Sequence, residues 1–167
     1  MASSGNNAVK TRPDYFWEDL VEGDVIISPG LTITETHLVQ WAGLTGDWVS
    51  LHLDSEYAKA SSFGQRVGHG PLTLSVAMGL LTQTGYFSNV AAWLGLDEVR
   101  AMNPVFIGDT VRAQATAIEV RPTEKPGRGV WTLLYEVKKQ DGSIVMTFRS
   151  SFLMLRREES EREGCNG

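Results

Sequence analysis

The chain has 167 residues, of which 42% are hydrophobic, and this composition fits one globular domain with a core of its own. The net charge of −5 argues against general nucleic-acid binding. No apolar run reaches the roughly 18 residues of a membrane helix, and the N-terminus lacks a basic-then-apolar pattern, so we expect neither a membrane span nor an export signal.

Both ends of the chain are predicted to be disordered tails. Residues 1–12 are small and polar, and residues 157–167 are rich in Arg and Glu, so neither stretch can bury much apolar surface. The folded domain is therefore expected at residues 13–156. The single cysteine, Cys165, excludes a disulfide within the chain and fits a cytoplasmic protein.

The first part of the domain is predicted to contain an interrupted strand and two helices. The strand covers about 25–33, after a turn signal. Thr34 or Thr36 caps the first helix. Its buried stripe is predicted to be Leu38, Val39, Trp41 and Ala42. A short helix follows over about 54–60.

The stretch Pro71–Tyr86 is predicted to be a long helix that is buried on most sides, because it is apolar nearly all round. Ser75, Ala77 and Gly79 keep part of its surface narrow, so a curved sheet could close around it.

From Ala91 onward the apolar residues recur with a period of two, which is typical of strands. The clearest runs cover about 111–120, 130–139 and 143–155. Residues 140–143 give a hairpin signal between the last two runs, and 122–129 form a longer loop between the first two. The pattern predicts an α+β domain in which an antiparallel sheet surrounds one helix. No internal repeat is present, so we expect a single unit.

Candidate acid/base chemistry lies in the turn-rich segment 44–54, where Asp47 and His52 are five residues apart. A carboxylate and an imidazole suit proton transfer near neutral pH. Residues five apart on a straight helix diverge by about 140°. A loop is therefore the predicted carrier of this pair.

A candidate anion site lies where the long helix begins. Pro71 fits the first helical position and Gly70 the cap. Backbone N–H groups at a helix start are unpaired, and together with the helix dipole they stabilise a developing oxyanion. The start of this helix is therefore an oxyanion hole in outline.

Three spaced blocks give the chain a resemblance to the MaoC-like, (R)-specific enoyl-CoA hydratase family, also called hydratase 2. The blocks are Gly46-Asp47-x-x-x-Leu51-His52, His69-Gly70, and Asn103-Pro104-Val105-x-x-Gly108-Asp109-Thr110-Val111. The similarity runs from about Phe16 to Leu155. It implies a single hot-dog fold, in which a curved antiparallel sheet wraps a long central helix. It also implies that Asp47 and His52 bind and activate water while the N–H of Gly70 holds the thioester oxygen.

The expected activity is that of an acyl-thioester hydratase/dehydratase, which joins a 2-enoyl-CoA and water into a (3R)-3-hydroxyacyl-CoA. No cofactor is expected beyond the coenzyme A of the substrate. One alternative is a hot-dog thioesterase, although many such enzymes use an acid on the central helix and 71–86 contains none. Another is an acyl-thioester binding subunit without turnover.

Further substrate contacts are predicted around the acid/base pair. Val49-Ser50 stands where the family usually has Asn-Pro, which places substrate choice and activity in question. The predicted substrate-binding residues are Trp48, Val49, Ser50 and His69, with Lys125 and Arg128 reaching a coenzyme A phosphate. For His69 a structural role is preferred over chemistry.

No metal is expected. Asp47, His52 and Asp54 could be ligands, but no Cys or further His stands at ligand spacing. The expected partners are the acyl-CoA substrate and a second copy of the chain. A single hot-dog sheet leaves a strand edge unpaired, and an exposed edge invites pairing in a symmetric homodimer. The resemblance implies the same dimer, with an acyl tunnel near the interface.

Overall fold

The computed structural model describes residues 14–157. Its helices are α1 (Glu35–Thr45), α2 (Ser50–Leu53), α3 (Ser55–Ala60) and α4 (Gly70–Thr82). Its strands are β1 (Val25–Ile27), β2 (Leu31–Thr32), β3 (Val90–Ala101), β4 (Thr110–Pro122), β5 (Arg128–Lys139) and β6 (Ile144–Leu155). The predicted tails and Cys165 lie outside the described residues, except for Arg157. Its backbone N–H donates to Glu18, so Arg157 belongs to the folded domain and not to a tail.

The strands form one antiparallel sheet in the order β1-β4-β5-β6-β3, and β2 also pairs with β4. The α+β class predicted from the sequence is confirmed. The predicted hairpin connects β5 to β6, with the N–H of Lys139 donating to the carbonyl of Ser143 at 3.0 Å. The loop between β4 and β5 is shorter than predicted, because Pro122 and Arg128 already belong to the strands.

The core lies between α4 and one face of the sheet. Side chains alternate between the two faces of a strand, so every second residue is buried over 111–117 of β4 and 131–137 of β5. The buried residues of β4 are Val111, Ala113, Ala115 and Ala117, and those of α4 are Leu72, Thr73, Ala77, Leu80 and Leu81. The short side chains of β4 allow α4 to pack closely on this strand.

The helix α4 differs in detail from the prediction. It begins at Gly70 and ends at Thr82, because the chain then enters turns that include Gly85, which has a φ of 92°. The sheet covers one side of α4, while Pro71, Ser75, Gly79 and Thr82 form an exposed stripe. Ser75 and Gly79 are therefore not under the sheet, and only Ala77 of the three predicted small residues is buried.

The helix α1 is capped by Thr34, as one of the two predicted alternatives. Leu38 and Ala42 are buried and Trp41 packs against the core. Val39 is 47% exposed, so its place in the predicted buried stripe was wrong. No helix in residues 14–157 has both the length and the apolar character to cross a membrane.

Candidate active site

The acid, Asp47, lies in the short loop between α1 and α2. The helix α1 ends at Gly46, which takes a left-handed conformation with a φ of 80° and donates its N–H to Ala42 at 2.8 Å. Glycine favours this conformation because it has no Cβ. The turn releases Asp47 from the helix with a half-buried side chain, and its N–H donates to the hydroxyl of Thr45 at 3.3 Å.

The imidazole of His52 projects from α2, and not from a loop as predicted for both residues. The two residues lie on different elements, so the divergence expected on one helix does not apply. Nδ1 of His52 lies 2.7 Å from the carbonyl oxygen of Val67. A carbonyl only accepts, so Nδ1 carries the proton and Nε2 keeps a free lone pair. The fold therefore presents His52 as a base at Nε2.

The start of α4 carries the predicted anion donor, but the helix begins one residue earlier than expected. His69 is the N-cap and Gly70 is the first helical residue, so the N–H of Gly70 has no partner within the helix. A Cβ built at Gly70 would meet no heavy atom within 4 Å. The backbone of Gly70 is therefore open on the side where a side chain would project.

His69 joins Asp47 and His52 in space although it follows His52 by 17 residues in the sequence. A carboxylate oxygen and one ring nitrogen of each histidine lie within 4.8 Å of one another. The two imidazole rings stack with their centroids 3.9 Å apart and their planes at 29°. Nε2 of His69 also lies 3.2 Å from the backbone oxygen of Asp47. The acid, the base and the start of α4 thus form one cluster.

Burial lowers the pKa of His69 below 6.5, and the neighbouring charge of His52 lowers it further. The contact with the backbone of Asp47 opposes this shift. The His69 side chain is fully buried, and its Nδ1 has no hydrogen-bond partner among the described residues. His69 is consequently neutral when the site works near neutral pH.

The third sequence block braces the segment that leads into α4. The N–H of Gly68 donates to the carbonyl of Val105 at 2.7 Å, and Val67 forms an isolated bridge with Phe106. A Cβ at Gly68 would lie 3.3 Å from the oxygen of Val105, so a side chain here would crowd that oxygen and glycine suits the close approach. The block therefore fixes the carbonyl of Val67 that binds His52.

Asp109 closes the turn that shapes this brace. Its carboxylate accepts from the N–H of Phe106 at 2.9 Å and pairs with Lys139 at 3.3 Å. Burial alone would raise the pKa of Asp109, but these contacts and the amide of Gln140 outweigh it and leave the pKa below its usual value. Asp109 is thus a structural carboxylate and stands apart from the acid/base cluster.

A mainly apolar pocket of about 280 Å³ opens beside Gly70. Its walls include Thr73 of α4, Met102 after β3 and Val145 of β6. Sequence reasoning did not identify these three residues, because no local pattern connects one helix with two distant strands. The pocket places apolar space next to the candidate anion donor.

A family model described as the MaoC like domain matches residues 18–138. The chain belongs to this family. It is 36% identical over 101 residues to the protein MaoC of Klebsiella aerogenes, a match that covers 60% of this chain but only 30% of that protein. It is also 30% identical over 111 residues to an (R)-specific enoyl-CoA hydratase of Rhodospirillum rubrum, covering 66% and 75% of the two chains.

Solved structures give the fold of this MaoC-like chain. A monoamine oxidase regulatory protein from Archaeoglobus fulgidus superposes with a TM-score of 0.80 at 36% identity, covering 87% of this chain and 97% of that one. A Mycobacterium tuberculosis protein described as a double hotdog fold superposes with a TM-score of 0.79 at 22% identity, over 87% of this chain and 46% of that one. The MaoC-like chain is a hot-dog domain, as the sequence blocks implied.

The other predicted site residues of the MaoC-like chain lie in two places. Trp48 and Val49 adjoin Asp47 and are 62% and 54% exposed, and Ser50 is the first residue of α2. Lys125 follows β4, and Arg128 begins β5. Both line a separate pocket with Pro122 and Leu153, and none of Asp47, His52 and His69 lines it. Within one chain the structure does not bring Lys125 and Arg128 to the site, and their contact with coenzyme A stays a prediction.

The structure changes the set of candidate metal ligands in the MaoC-like site. Asp54 does not join it, because its carboxylate caps α3 by accepting from the N–H groups of Glu56 and Tyr57. His69 takes its place beside Asp47 and His52. A metal ion lies in the plane of each imidazole that binds it, so two stacked rings would have to turn before both could bind one ion. The expectation that the site works without a metal stays a prediction.

Proposed function

We propose that this MaoC-like chain is an acyl-thioester hydratase/dehydratase that reversibly adds water to a 2-enoyl-CoA and gives a (3R)-3-hydroxyacyl-CoA. The proposal is carried by the contact of His52 Nδ1 with the carbonyl oxygen of Val67 at 2.7 Å. This contact leaves Nε2 as a proton acceptor, and a second acceptor, the carboxylate of Asp47, is in the same cluster.

Two such acceptors suit one water molecule. Water donates two hydrogen bonds of about 2.8 Å, so its two acceptors lie about 4.4 Å apart. A carboxylate oxygen of Asp47 and a ring nitrogen of His52 lie within 4.8 Å of each other, a separation of this order. A water bound this way turns its oxygen lone pairs away from both acceptors, toward a substrate carbon.

The reaction needs four linked changes. The water oxygen forms a bond with C3 of the enoyl group while His52 Nε2 takes a proton from that water. The π electrons of the C2–C3 bond move to the thioester oxygen as an enolate, which the N–H of Gly70 stabilises. The enolate then collapses as C2 receives a proton from the Asp47/His52 pair. In the reverse direction the same groups remove water.

The surroundings of Gly70 suit an acyl thioester. An oxygen bound to this N–H would place the rest of the acyl group at the mouth of the apolar pocket of about 280 Å³. The proposed chemistry moves protons and makes no redox change, so it requires no cofactor beyond the coenzyme A of the substrate. The R. rubrum relative is named an (R)-specific enoyl-CoA hydratase, which supports the R product and the coenzyme A carrier.

A panel of 2-enoyl-CoA and 3-hydroxyacyl-CoA substrates of different lengths tests the proposal. We expect loss of the enoyl absorbance with no release of free thiol. Thiol release without a hydroxyacyl product would show a thioesterase instead. Binding of acyl-CoA with neither loss of enoyl absorbance nor thiol release would show a binding subunit without turnover. The Val49-Ser50 pair in place of Asn-Pro is the feature that suggests this alternative.

We also propose that the working form is a homodimer joined through β3. This strand of 12 residues lies at one edge of the described sheet, where it pairs with β6 alone. Large apolar side chains on and just after it are exposed: Trp93 56%, Leu94 51%, Val99 37% and Met102 59%. A second β3 would satisfy the free backbone edge and cover these side chains.

A further inference from the structure

His69 touches every part of the proposed catalytic apparatus. Its Nε2 lies 3.2 Å from the backbone oxygen of Asp47, and its ring stacks on His52 with centroids 3.9 Å apart. It is also the N-cap of α4, immediately before Gly70. Among the described residues, His69 thus combines a contact with the Asp47 loop, a contact with the His52 ring and the N-cap of α4.

The protonation of His69 follows from its surroundings. The backbone oxygen of Asp47 only accepts a hydrogen bond, so Nε2 carries the proton and Nδ1 is bare. A second proton on Nδ1 would need an acceptor, and the described residues supply none. The site can therefore exchange protons at Asp47 and His52 while the ring of His69 keeps a fixed form.

The stacked ring restricts the motion of His52. The carbonyl of Val67 holds His52 at Nδ1, but one hydrogen bond still allows the ring to tilt about it. The flat face of His69 removes that freedom and keeps Nε2 in one direction. The contact of His69 with Asp47 acts in the same way on the acid loop.

We propose that His69 is a positioning residue, whose imidazole ring holds Asp47, His52 and the N–H of Gly70 in fixed positions relative to one another. The proposal rests on the hydratase function proposed above. It assigns His69 a role in turnover, whereas the sequence favoured a purely structural one.

Two variants separate the two contacts of His69. His69→Gln keeps an N–H donor near the position of Nε2 but loses the flat ring. His69→Phe keeps the flat ring but loses the donor. Misplacing reacting groups by about 1 Å can cost 10²-fold in rate. We expect kcat to fall on the order of 10 to 10²-fold in each variant, with KM nearly unchanged and both chains folded.

A matched control is His37→Phe. His37 lies on α1, and among the described residues its imidazole forms hydrogen bonds only with Thr34. This variant should keep the wild-type kcat. Wild-type kcat in both His69 variants, or a raised KM with unchanged kcat, would overturn the positioning role.

Imidazole ¹⁵N NMR gives a readout that does not depend on turnover. In the wild-type protein we expect a proton on Nδ1 of His52 and on Nε2 of His69. His69→Gln should keep the His52 proton on Nδ1, which Val67 still holds, but broaden the His52 ring signals because the ring can now tilt, while His69→Phe should keep them sharp. If the wild-type protein lacks hydratase activity but shows these signals, the proposed function fails and the positioning by His69 stands. An unchanged His52 signal in His69→Gln would refute the positioning itself.

Discussion

His52 on α2 donates a hydrogen bond of 2.7 Å to the carbonyl oxygen of Val67, fifteen residues away and just before α4. This bond fixes the tautomer of His52 and links this proposed base to the segment that carries the proposed oxyanion donor. Because Val67 is itself braced by the Asn103–Asp109 turn, the geometry of the site depends on contacts well outside α2.

Asp47→Asn and His52→Ala should each lower kcat by about 10² to 10⁴-fold, because general acid–base groups typically contribute that much. Both side chains are only partly buried, and the His52 change also removes one hydrogen bond, so the stability cost should be about 1 kcal/mol. Steady-state kinetics and thermal unfolding check this. Asp54→Asn is the control, since Asn also caps helices well and turnover should not change. Wild-type rates in folded Asp47 and His52 variants would contradict the assignment.

Gly70→Ala should lower kcat/KM by on the order of 10-fold or more while the protein stays folded. The new methyl meets no protein atom within 4 Å, but it occupies the space that a thioester oxygen needs beside the N–H. The control is Gly79→Ala on the exposed stripe of α4, where a Cβ also meets nothing. That change should raise stability by about 0.5–1 kcal/mol and leave the kinetics unchanged. Equal kinetics in the two variants would rule out the oxyanion role of Gly70.

Val49→Asn combined with Ser50→Pro should keep or raise activity on short enoyl-CoA substrates. Val49 is the N-cap of α2, with a φ of −60° and a ψ of 129°, a conformation that suits both an Asn cap and the residue before proline. Ser50 is the first helical position, where proline is favoured. Chemical denaturation should show a gain of about 0.5–1 kcal/mol. Lost activity in a folded double variant would indicate that this loop is adapted to a different substrate.

Leu94→Lys should weaken the proposed dimer. Leu94 is 51% exposed on the edge strand β3, where a buried charge would oppose pairing with a second copy. Light scattering should show a dimer for the wild-type chain and a shift toward monomer for the variant, with activity falling in parallel. Val39→Lys on α1, where Val39 is 47% exposed, should remain dimeric. A fully active wild-type monomer at micromolar concentration would refute the dimer.

His69→Phe should reduce the loss of stability that occurs on mild acidification. The pKa of His69 is lowered in the folded chain, so below about pH 6.5 the unfolded state binds a proton that the folded state does not yet bind. Stability therefore falls as the pH drops below that value, until the lower folded pKa is reached. The pKa values of Glu18 and Asp109 are lowered from 4.5 and 3.8, so their contributions are lost only at lower pH. Unfolding free energies measured between about pH 7 and 5 should have a smaller slope in the variant. Identical slopes would show that His69 does not titrate in this way.

Local patterns predicted much of the fold. The strands β5 and β6 were expected at 130–139 and 143–155 and lie at 128–139 and 144–155, because alternation along a strand is visible in any short window. The end of α4 was misjudged, since Tyr86 and Phe87 still pack against the core although the chain has already left the helix after Thr82. Val39 was also predicted to be buried but is exposed. Helical spacing shows which residues share a face of α1, but not how much of that face the rest of the domain covers.

The sequence by itself singled out Asp47, His52 and Gly70 as candidates for this chemistry, because their residue types and the spacing of the three blocks can be seen without the fold. Only the tertiary structure decided that His69, 22 residues from Asp47, joins them and that Asp54 does not. The position of His69 depends on long-range contacts. The N–H of Gly68 donates to the carbonyl of Val105, and Nε2 of His69 contacts the backbone oxygen of Asp47. No periodicity encodes such a contact, since it follows from how the sheet and helix pack together.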